Sequence, residues 1–269
     1  MDTMMPKISV LMSVRNGEND LHKSIPSILN QSFKDFEFII CDDGSTDKTL
    51  DVLISYQSQD NRIVILRNDK SMGLAYSLNL CIKNSKSNIL ARQDADDYSE
   101  PNRLEKQYSF VIDNPQYAIV GTCWYNVFSD GRKVKNPVKE LPTAINQVKG
   151  GLYMHPSWMM RKDQLAKVDF YTVNRHTLRS QDYHLVMKVL GAGMKLYNMQ
   201  EYLYDYTMDE RTMGRSRNWR RVKDLMWIRW DAYRRNHLPL WCYIYIFKPV
   251  LTNILPKSLM FWYYQKGSE

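Results

Sequence analysis

Three carboxylates fall within four residues of this sequence, in the segment Asp94-Ala95-Asp96-Asp97. Carboxylates gathered this closely repel one another, and a bound cation would relieve that repulsion. Hard oxygen ligands suit Mg²⁺ or Mn²⁺, which commonly bridge protein carboxylates and substrate phosphates. The segment is therefore a candidate metal site. The alternative is a solvated acidic turn that precedes the helix expected near Pro101.

A second acidic segment, Asp42-Asp43-Gly44-Ser45, lies earlier in the chain. Acidic turns that precede a helix are common, so this segment alone favours a turn with a helix cap. A carboxylate in this position can also accept a hydrogen bond from the imide N–H of a uracil base or from a ribose hydroxyl. Both interpretations stay open from the residues alone.

Strands and helices alternate through the first hundred residues, which indicates a parallel sheet with helical crossovers. Short apolar runs predict strands at 8–14, 36–41, 63–66 and 88–92, with helices at 18–31, 50–56 and along Leu74, Leu78 and Ile82. In open sheets of this kind, ligands bind beyond the carboxyl ends of the strands. Both acidic segments directly follow a strand, so we expect them at the same edge of the sheet.

After Pro101 the pattern is less regular, and it indicates the completion of one domain. The predicted elements are a helix at 103–112, strands at 117–121 and 124–128, a helix from Asp182 and a strand near 194–197. The sequence contains no internal repeat and no low-complexity linker that would mark a domain boundary.

The net charge of +8 is concentrated near the C-terminus, where residues 211–269 hold twelve Lys/Arg, three Asp/Glu and five of the seven tryptophans. Apolar residues recur there at helical spacing, at Trp219, Val222, Met226, Trp230 and Tyr233. The apolar run 238–255 is interrupted by Lys248-Pro249, and its uncharged part falls short of the ~20 residues that span a bilayer. We expect residues 216–269 to form a basic, aromatic-rich amphipathic helical tail on an anionic membrane surface. The alternative is that this apolar stripe packs against the main domain.

The four cysteines, Cys41, Cys81, Cys123 and Cys242, show no metal-ligand spacing, so buried free thiols in a reducing cytoplasm are expected. The first residues, MDTMMPK, carry neither a basic region nor an apolar region of a signal peptide. We therefore expect a cytoplasmic protein, peripheral on the inner face of the cell membrane.

The chain resembles the inverting glycosyltransferases of family 2, which have the GT-A fold. The matching segments are ISVLMSVRNGENDLHKSIPSILNQSF, FEFIICDDGSTDKT, GLAYSLNLCI and ILARQDADDYSEPNRLEKQ, followed more thinly by HPSWMMRK and SQDYHLVMKVLG. It looks most like bacterial enzymes that add single sugars to capsule, O-antigen or lipooligosaccharide precursors. The resemblance implies an α/β, Rossmann-like, mostly parallel sheet flanked by helices over residues 1–215. Residues 1–100 would bind the nucleotide-sugar, residues 101–215 the acceptor, and 216–269 would be the membrane-associating tail.

The resemblance also implies roles for single residues. Asp42 and Asp43 would contact the nucleoside, while Asp94 and Asp96 match the D-x-D motif that holds a divalent metal and the donor diphosphate. Asp182 would be the catalytic base, although Gln181 stands where the family has Glu. Asp209 stands where many members have a metal-binding histidine, which makes it a third candidate metal ligand.

Four further residues are candidates for the site. Arg15, Arg92 and Arg103 could pair with phosphate or with the acidic segments, and the alternative for each is an ordinary surface charge. His155 opens the segment HPSWMMRK, which the resemblance places on the acceptor side.

The resemblance implies a reaction that moves a sugar from a nucleotide-sugar, by default a UDP-linked hexose or N-acetylhexosamine, to a hydroxyl of a saccharide or lipid-linked acceptor. Mn²⁺ or Mg²⁺ would neutralise the departing nucleoside diphosphate, and Asp182 would deprotonate the acceptor. One alternative is a metal-dependent nucleotidyltransferase, whose usual Gly-rich phosphate loop is not offered by Arg15-Asn16-Gly17. The other is a nucleic-acid-binding module, which leaves both acidic segments unexplained. No nucleic-acid partner is expected.

Overall fold

A mixed β-sheet with helices packed on both faces organises the chain. The structure is a computed structural model that describes residues 5–150, 153–208 and 218–254. Its strands are β1 (Ile8–Val14), β2 (Phe36–Asp42), β3 (Ile63–Arg67), β4 (Ile89–Arg92), β5 (Tyr98–Ser99), β6 (Tyr117–Phe128), β7 (Lys133–Asn136), β8 (Met159–Arg161) and β9 (Lys195–Met208). Its α-helices are α1 (Leu21–Leu29), α2 (Thr49–Gln59), α3 (Leu74–Asn84), α4 (Arg103–Asp113), α5 (Ala144–Gly150), α6 (Lys162–Ala166), α7 (Gln181–Gly191), α8 (Trp219–Arg235) and α9 (Lys248–Ile254). Short 3₁₀ helices cover His155–Ser157 and Leu240–Phe247.

The strands are ordered β3-β2-β1-β4-β8-β6-β9-β5, and β7 pairs with β6. The first four strands are parallel, as predicted, with β1 between β2 and β4. The later strands make the sheet mixed, because β8 pairs antiparallel with β4 and β6, while β9 runs parallel to β6. Antiparallel neighbours such as β6 and β7 need only a short turn, so no helical crossover marks them in the sequence.

The core lies on both faces of the parallel strands. Alternate residues of β1 face opposite sides, so Val10 packs with Ile25 of α1 on one face. On the other face, Leu11 packs with Leu78 of α3 and Leu185 of α7. Burial on both faces explains why these strands are continuous apolar runs in the sequence. The carboxyl ends of β1, β2 and β4 are thereby fixed at one edge.

Two strands are longer than predicted. The runs predicted as two strands form the single strand β6, and the strand predicted near 194–197 extends to Met208 as β9. The added part of β9 carries polar residues and tyrosines and pairs with β6. There the ring of Tyr202 packs against the ring of Tyr125, with centroids 4.9 Å apart. This extension brings the end of β9 to the acidic segment at 94–97.

The amphipathic helix predicted from Trp219 is present as α8. Its apolar stripe is divided, because Val222 and Tyr233 are buried whereas Trp219 and Trp230 are 56% and 44% exposed. Tyr233 packs with Met187 of α7, so this face of α8 belongs to the protein core. Among the helices of the described ranges, none combines the length and apolar character needed to cross a membrane. Residues 216–217 and 255–269 of the predicted tail lie outside the described residues.

Candidate active site

A cavity of about 350 Å³ opens at the carboxyl ends of β1 and β4. It is named the donor cavity after the nucleotide-sugar donor that the sequence resemblance predicts, and its lining includes Arg15, Asp20, Leu74, Asp94 and Asp96. The two strands pair in parallel, with Leu11 opposite Arg92, so the residues that follow each strand emerge side by side. Three predicted site residues, Arg15, Asp94 and Asp96, therefore share one cavity.

The carboxylates of the acidic segment at 94–97 lie in two places, the cavity and the protein interior. Arg92 is fully buried, and its guanidinium donates to Asp94 Oδ1. Asp97 is also fully buried, and its Oδ1 accepts a hydrogen bond of 2.8 Å from Thr207 N. Burial, and then the charges of Asp94 and Asp96, raise the pKa of Asp97 well above its usual value. Part of the repulsion that the sequence suggests is thus relieved within the chain, and the other two carboxylates of this segment line the cavity.

Arg103 organises this segment from below the surface. Its fully buried guanidinium donates to Gln93 Oε1 at 3.1 Å, to Ser99 Oγ at 2.6 Å and to the Arg92 carbonyl at 2.6 Å. Burial lowers the pKa of Arg103 to about 10. These contacts place Arg103 among the groups that position the acidic segment, and Arg92 likewise, rather than at the cavity wall.

The end of β9 holds the same segment from the other side. Asp94 N donates to the Tyr204 hydroxyl at 3.2 Å, and Thr207 Oγ1 donates to the Asp96 carbonyl at 2.6 Å. Sequence reasoning missed both residues, because each lies more than a hundred residues from its partner. The one signal available is the alternation Tyr202-Leu203-Tyr204, which is typical of a strand and names no partner.

Asp42 ends β2 and is fully buried. Its Oδ1 accepts a hydrogen bond of 3.0 Å from Ser45 N. Its Oδ2 is 3.6 Å from Arg67 Nε and accepts no hydrogen bond in the part of the chain that the structure describes. A buried carboxylate oxygen without a hydrogen bond is costly unless a ligand supplies one.

Asp43 differs from Asp42, because both of its carboxylate oxygens accept hydrogen bonds from other residues of the chain. Oδ1 accepts from Asn68 Nδ2, Ser77 Oγ and Met72 N at 2.7–3.0 Å, and Oδ2 accepts from Ser71 Oγ and Gly73 N at 2.8 and 3.0 Å. Burial alone would raise the pKa of Asp43, but these hydrogen bonds outweigh it and lower the pKa below its usual value. The carboxylate therefore fixes the loop that leads into α3.

Replacing Asp43 with Asn should lower the free energy of unfolding by about 1–3 kcal/mol at neutral pH, since an amide nitrogen cannot accept from two of these donors. Because the folded pKa is depressed, the carboxylate stabilises the fold above its unfolded pKa of about 4, and this contribution is lost as pH falls below that value. Denaturant unfolding of both proteins across this range should show the difference shrinking in acid. A difference that is absent at pH 7, or no larger than that of the exposed control Asp51→Asn, would contradict this role.

Asp182 lies in the first turn of α7 and is half-buried. It is not among the residues that line the donor cavity, and its link to Asp94 is electrostatic, through Tyr171, a buried residue of the loop before α7. Burial raises the pKa of Tyr171, the charge of Arg92 opposes this, and the charges of Asp182 and Asp94 raise the pKa further. Both carboxylates therefore lie within electrostatic reach of one hydroxyl, although they belong to different elements.

His155 fixes that hydroxyl in place. Its Nε2 is 2.7 Å from the Tyr171 hydroxyl, and its ring packs edge-on against Trp158 with centroids 4.6 Å apart. Burial, and next the charge of Arg92, lower the pKa of His155 well below its usual value, so the imidazole is neutral at physiological pH. Its position indicates a structural role beside the site.

The described residues hold no cluster of three or more His, Cys, Asp or Glu side chains that could bind a metal. Asp209, the third predicted ligand, lies outside the described residues. Of the three predicted metal ligands, Asp94 and Asp96 line the cavity, and Asp20 lines it with them. Two carboxylates suit Mg²⁺ or Mn²⁺, because these ions keep positions for water and substrate phosphates and do not require an all-protein cage.

Comparison with known proteins identifies relatives along the whole chain. The family described as glycosyl transferase family 2 matches residues 9–169. The glycosyltransferase candidate EpsE of Bacillus subtilis (strain 168) is 36% identical over 262 residues, which cover 97% of this chain and 94% of EpsE. The O-antigen biosynthesis glycosyltransferase WbnJ of Escherichia coli is 31% identical over 218 residues, which cover 79% of this chain and 84% of WbnJ.

Solved structures share the fold at lower identity. The S. aureus TarS 1-349 complex with UDP-GlcNAc has a TM-score of 0.68 at 18% identity, over 84% of this chain and 66% of that one. The mannosyltransferase PcManGT from Pyrobaculum calidifontis, in complex with GDP-Man and Mn²⁺, has a TM-score of 0.67 at 16% identity, over 98% and 81%. The predicted GT-A fold is confirmed, and the extent of the sequence matches shows that the chain belongs to glycosyl transferase family 2.

Proposed function

We propose that this chain transfers a sugar from a nucleotide-sugar to a hydroxyl of a saccharide or lipid-linked acceptor, with inversion at the anomeric carbon. The observation that carries the proposal is the cavity at the carboxyl ends of β1 and β4, which Asp94 and Asp96 line. The charges of Asp182 and Asp94 both act on the buried Tyr171 hydroxyl, which supports a place for Asp182 near this cavity. The name of WbnJ, which refers to O-antigen biosynthesis, supports an acceptor in cell-surface polysaccharide biosynthesis.

The nucleoside would bind at the end of β2. Asp42 Oδ2 is a buried acceptor without a hydrogen bond among the described residues, and Arg67 beside it is 57% exposed on its side chain. If Arg67 moves aside, this oxygen can accept the imide N–H of a uracil base. The UDP-GlcNAc complex of TarS supports a UDP-sugar, whereas the GDP-Man complex of PcManGT shows that the fold also accepts another nucleotide.

The donor diphosphate would lie in the donor cavity against Asp94 and Asp96. A divalent ion held by these two carboxylates would supply positive charge for the departing nucleoside diphosphate. The Arg92 guanidinium keeps Asp94 fixed, and Tyr204 and Thr207 fix the backbone of the same segment. Arg15 lines the cavity, where its guanidinium can bind phosphate oxygens.

Asp182 would act as the general base. A half-buried carboxylate in the first turn of α7 can accept the proton of an acceptor hydroxyl as its oxygen attacks the anomeric carbon. One displacement from the face opposite the leaving group inverts the configuration, so no covalent intermediate on the enzyme is required. Tyr171 and His155 would hold the wall of this part of the site.

A panel of nucleotide-sugars tests the proposed function and identifies the donor. Release of nucleoside diphosphate should be measured with Mn²⁺ and without acceptor, using UDP-, GDP- and other nucleotide-linked sugars. We expect slow release from one donor class and none from the others. Release from none of them, with and without a membrane extract as acceptor, would refute the proposal.

We also propose that the chain binds an anionic membrane, peripherally and on its cytoplasmic face, through the segment 240–254. Six of its apolar side chains are each more than half exposed and recur at steps of three, four and one: Leu240, Trp241, Ile244, Phe247, Leu251 and Ile254. This set is defined as the apolar stripe. The net positive charge of residues 211–269 complements anionic lipids. Because the apolar face of α8 is partly buried in the protein, the apolar stripe would make the membrane contact instead.

Replacing Ile244 and Phe247 together with Ser should weaken binding to phosphatidylglycerol vesicles by at least ~tenfold, because two large apolar side chains leave the lipid. Co-sedimentation at low salt measures the effect. The matched control is Ile54→Ser with Ile112→Ser, two side chains of similar exposure on α2 and α4. Equal sedimentation of the two double variants would contradict a role for the apolar stripe.

A further inference from the structure

A second cavity, of about 510 Å³, lies between the loop that precedes α7 and the first turns of α8. Five of its lining residues are basic and one is acidic: Arg175, Arg179, Arg220, Arg221 and Lys223 against Asp224. It is defined as the basic cavity. It shares no lining residue with the donor cavity, so it is a separate concentration of positive charge.

The two walls of the basic cavity are fastened to each other. His176 from the loop lies with its Nδ1 2.7 Å from Asp224 Oδ1 on α8, and its ring stacks on Trp227 with centroids 4.7 Å apart. Arg175 Nε donates to the other ring nitrogen of His176 at 3.1 Å. The single carboxylate of the lining is thus engaged with the loop, and the cavity is preorganised.

Three of the cations lack an anionic partner among the residues that the structure describes. In ranges 5–150, 153–208 and 218–254, the side chains of Arg179, Arg220 and Lys223 form no ion pair, and all three are exposed. Like charges gathered around one cavity repel one another, so a bound anion would stabilise the arrangement. Two guanidinium groups favour phosphate in particular, because each can donate two parallel hydrogen bonds to its oxygens.

The basic cavity adjoins the proposed reaction centre. Ser180 lines it and is the residue that precedes α7, in whose first turn Asp182 lies. On the other side, the side chain of Leu178 comes within 3.7 Å of the position a Cβ would take at Gly73, the residue before Leu74 of the donor cavity. The walls of the basic cavity are therefore continuous with the start of α7 and with the residue that precedes Leu74 of the donor cavity.

We propose that the basic cavity binds a phosphate or diphosphate group of the acceptor, so that the chain selects phosphate-bearing acceptors such as lipid diphosphate saccharides. This inference rests on the proposed sugar transfer. The donor diphosphate is assigned to Asp94 and Asp96 in the other cavity, which leaves the acceptor as the source of a second phosphate. An acceptor phosphate held beside Ser180 would direct the attached sugar toward Asp182.

Binding of farnesyl diphosphate and of farnesol to the whole chain, measured by titration calorimetry with EDTA present, tests this assignment. The chelator removes metal-dependent binding at the donor cavity. The wild type should bind the diphosphate and bind the alcohol at least ~tenfold more weakly, because only the former offers charge-assisted hydrogen bonds. The double variant Arg179→Gln with Arg220→Gln should lose at least ~tenfold in affinity for the diphosphate. Lysine at both positions should restore part of it, since charge returns without the bidentate geometry.

Three comparisons distinguish an acceptor-phosphate site from a donor site and from a lipid headgroup site. Arg234→Gln removes an exposed charge from the far end of α8 and should leave farnesyl diphosphate binding unchanged. The double variant should bind UDP with Mn²⁺ as the wild type does; loss of that binding would assign the basic cavity to the donor. Loss of binding to phosphatidylglycerol vesicles with intact farnesyl diphosphate binding would make it a headgroup site. Either result, or equal diphosphate affinity in wild type and double variant, overturns the proposal.

Failure of the proposed sugar transfer would look different. In that case no nucleotide-sugar would be cleaved by the wild type, while farnesyl diphosphate would still bind and the double variant would still bind it more weakly. The phosphate site would then stand without the reaction.

Discussion

Asp96→Ala is expected to reduce sugar transfer by at least ~10³-fold, because a carboxylate that holds the metal supports several kcal/mol of charge stabilisation on the leaving diphosphate. Asp96 lines the donor cavity and is only half-buried, so its loss should leave the thermal unfolding temperature close to that of the wild type. EDTA should inhibit the wild type to a similar extent, and excess Mn²⁺ should restore its activity. Initial rates of nucleoside diphosphate release with acceptor present provide the measurement.

The matched control is Asp51→Ala, which removes an exposed carboxylate from α2, away from the cavity. Its activity and its response to EDTA should be those of the wild type. Full activity of Asp96→Ala, or full activity of the wild type in excess EDTA, would contradict the assignment of a metal to Asp94 and Asp96. Unfolding of Asp96→Ala would show that the side chain supports the fold instead.

Asp182→Asn should lower kcat by about 10²–10⁴-fold, since the amide preserves size but cannot take the acceptor proton. Binding of UDP with Mn²⁺ should be unchanged, because the donor is proposed to rest on Asp42, Asp94 and Asp96. The rate of transfer and the dissociation constant of UDP should be measured on the same preparation.

The two numbers separate a base from a binding residue. If Asp182→Asn lost UDP affinity and turnover equally, Asp182 would bind the donor, and another carboxylate would be the base. If the rate were unchanged, as we expect for the control Asp51→Asn, Asp182 would have no part in the reaction.

The parallel half of the fold could be predicted from the sequence because its strands are buried on both faces. Short continuous apolar runs such as 8–14 and 36–41 are typical of strands buried on both faces. An acidic segment that follows such a strand must lie at the carboxyl edge of the sheet. The shared location of Arg15, Asp94 and Asp96 follows from that rule. Local sequence thus specified the part of the site that local structure builds.

The residues that support the site could not be predicted in this way. Tyr204 and Thr207 reach the acidic segment only because β9 pairs with β6 along its whole length. In these two strands apolar and polar residues alternate only weakly, so the sequence does not indicate the pairing. From its residue type alone, Arg103 would be expected at the surface, yet it is fully buried, because Gln93, Ser99 and a carbonyl satisfy its donors.

The same limit applies to the C-terminal segment. Helical periodicity predicted α8 correctly, but periodicity alone does not say whether protein or lipid covers an apolar face. The structure buries Val222 and Tyr233 and exposes Leu240, Ile244 and Phe247. The basic cavity was not predicted either, since its walls come from a loop and a helix that meet only in the fold.

The configuration of the sugar first released from the preferred nucleotide-sugar tests the central claim most directly. Proton NMR can follow hydrolysis of an α-linked donor with Mn²⁺ before the released sugar equilibrates between anomers. A single displacement assisted by Asp182 predicts that the β-anomer appears first. First appearance of the α-anomer would contradict an inverting transferase, and the absence of any released sugar across the donor panel would contradict nucleotide-sugar cleavage by this chain.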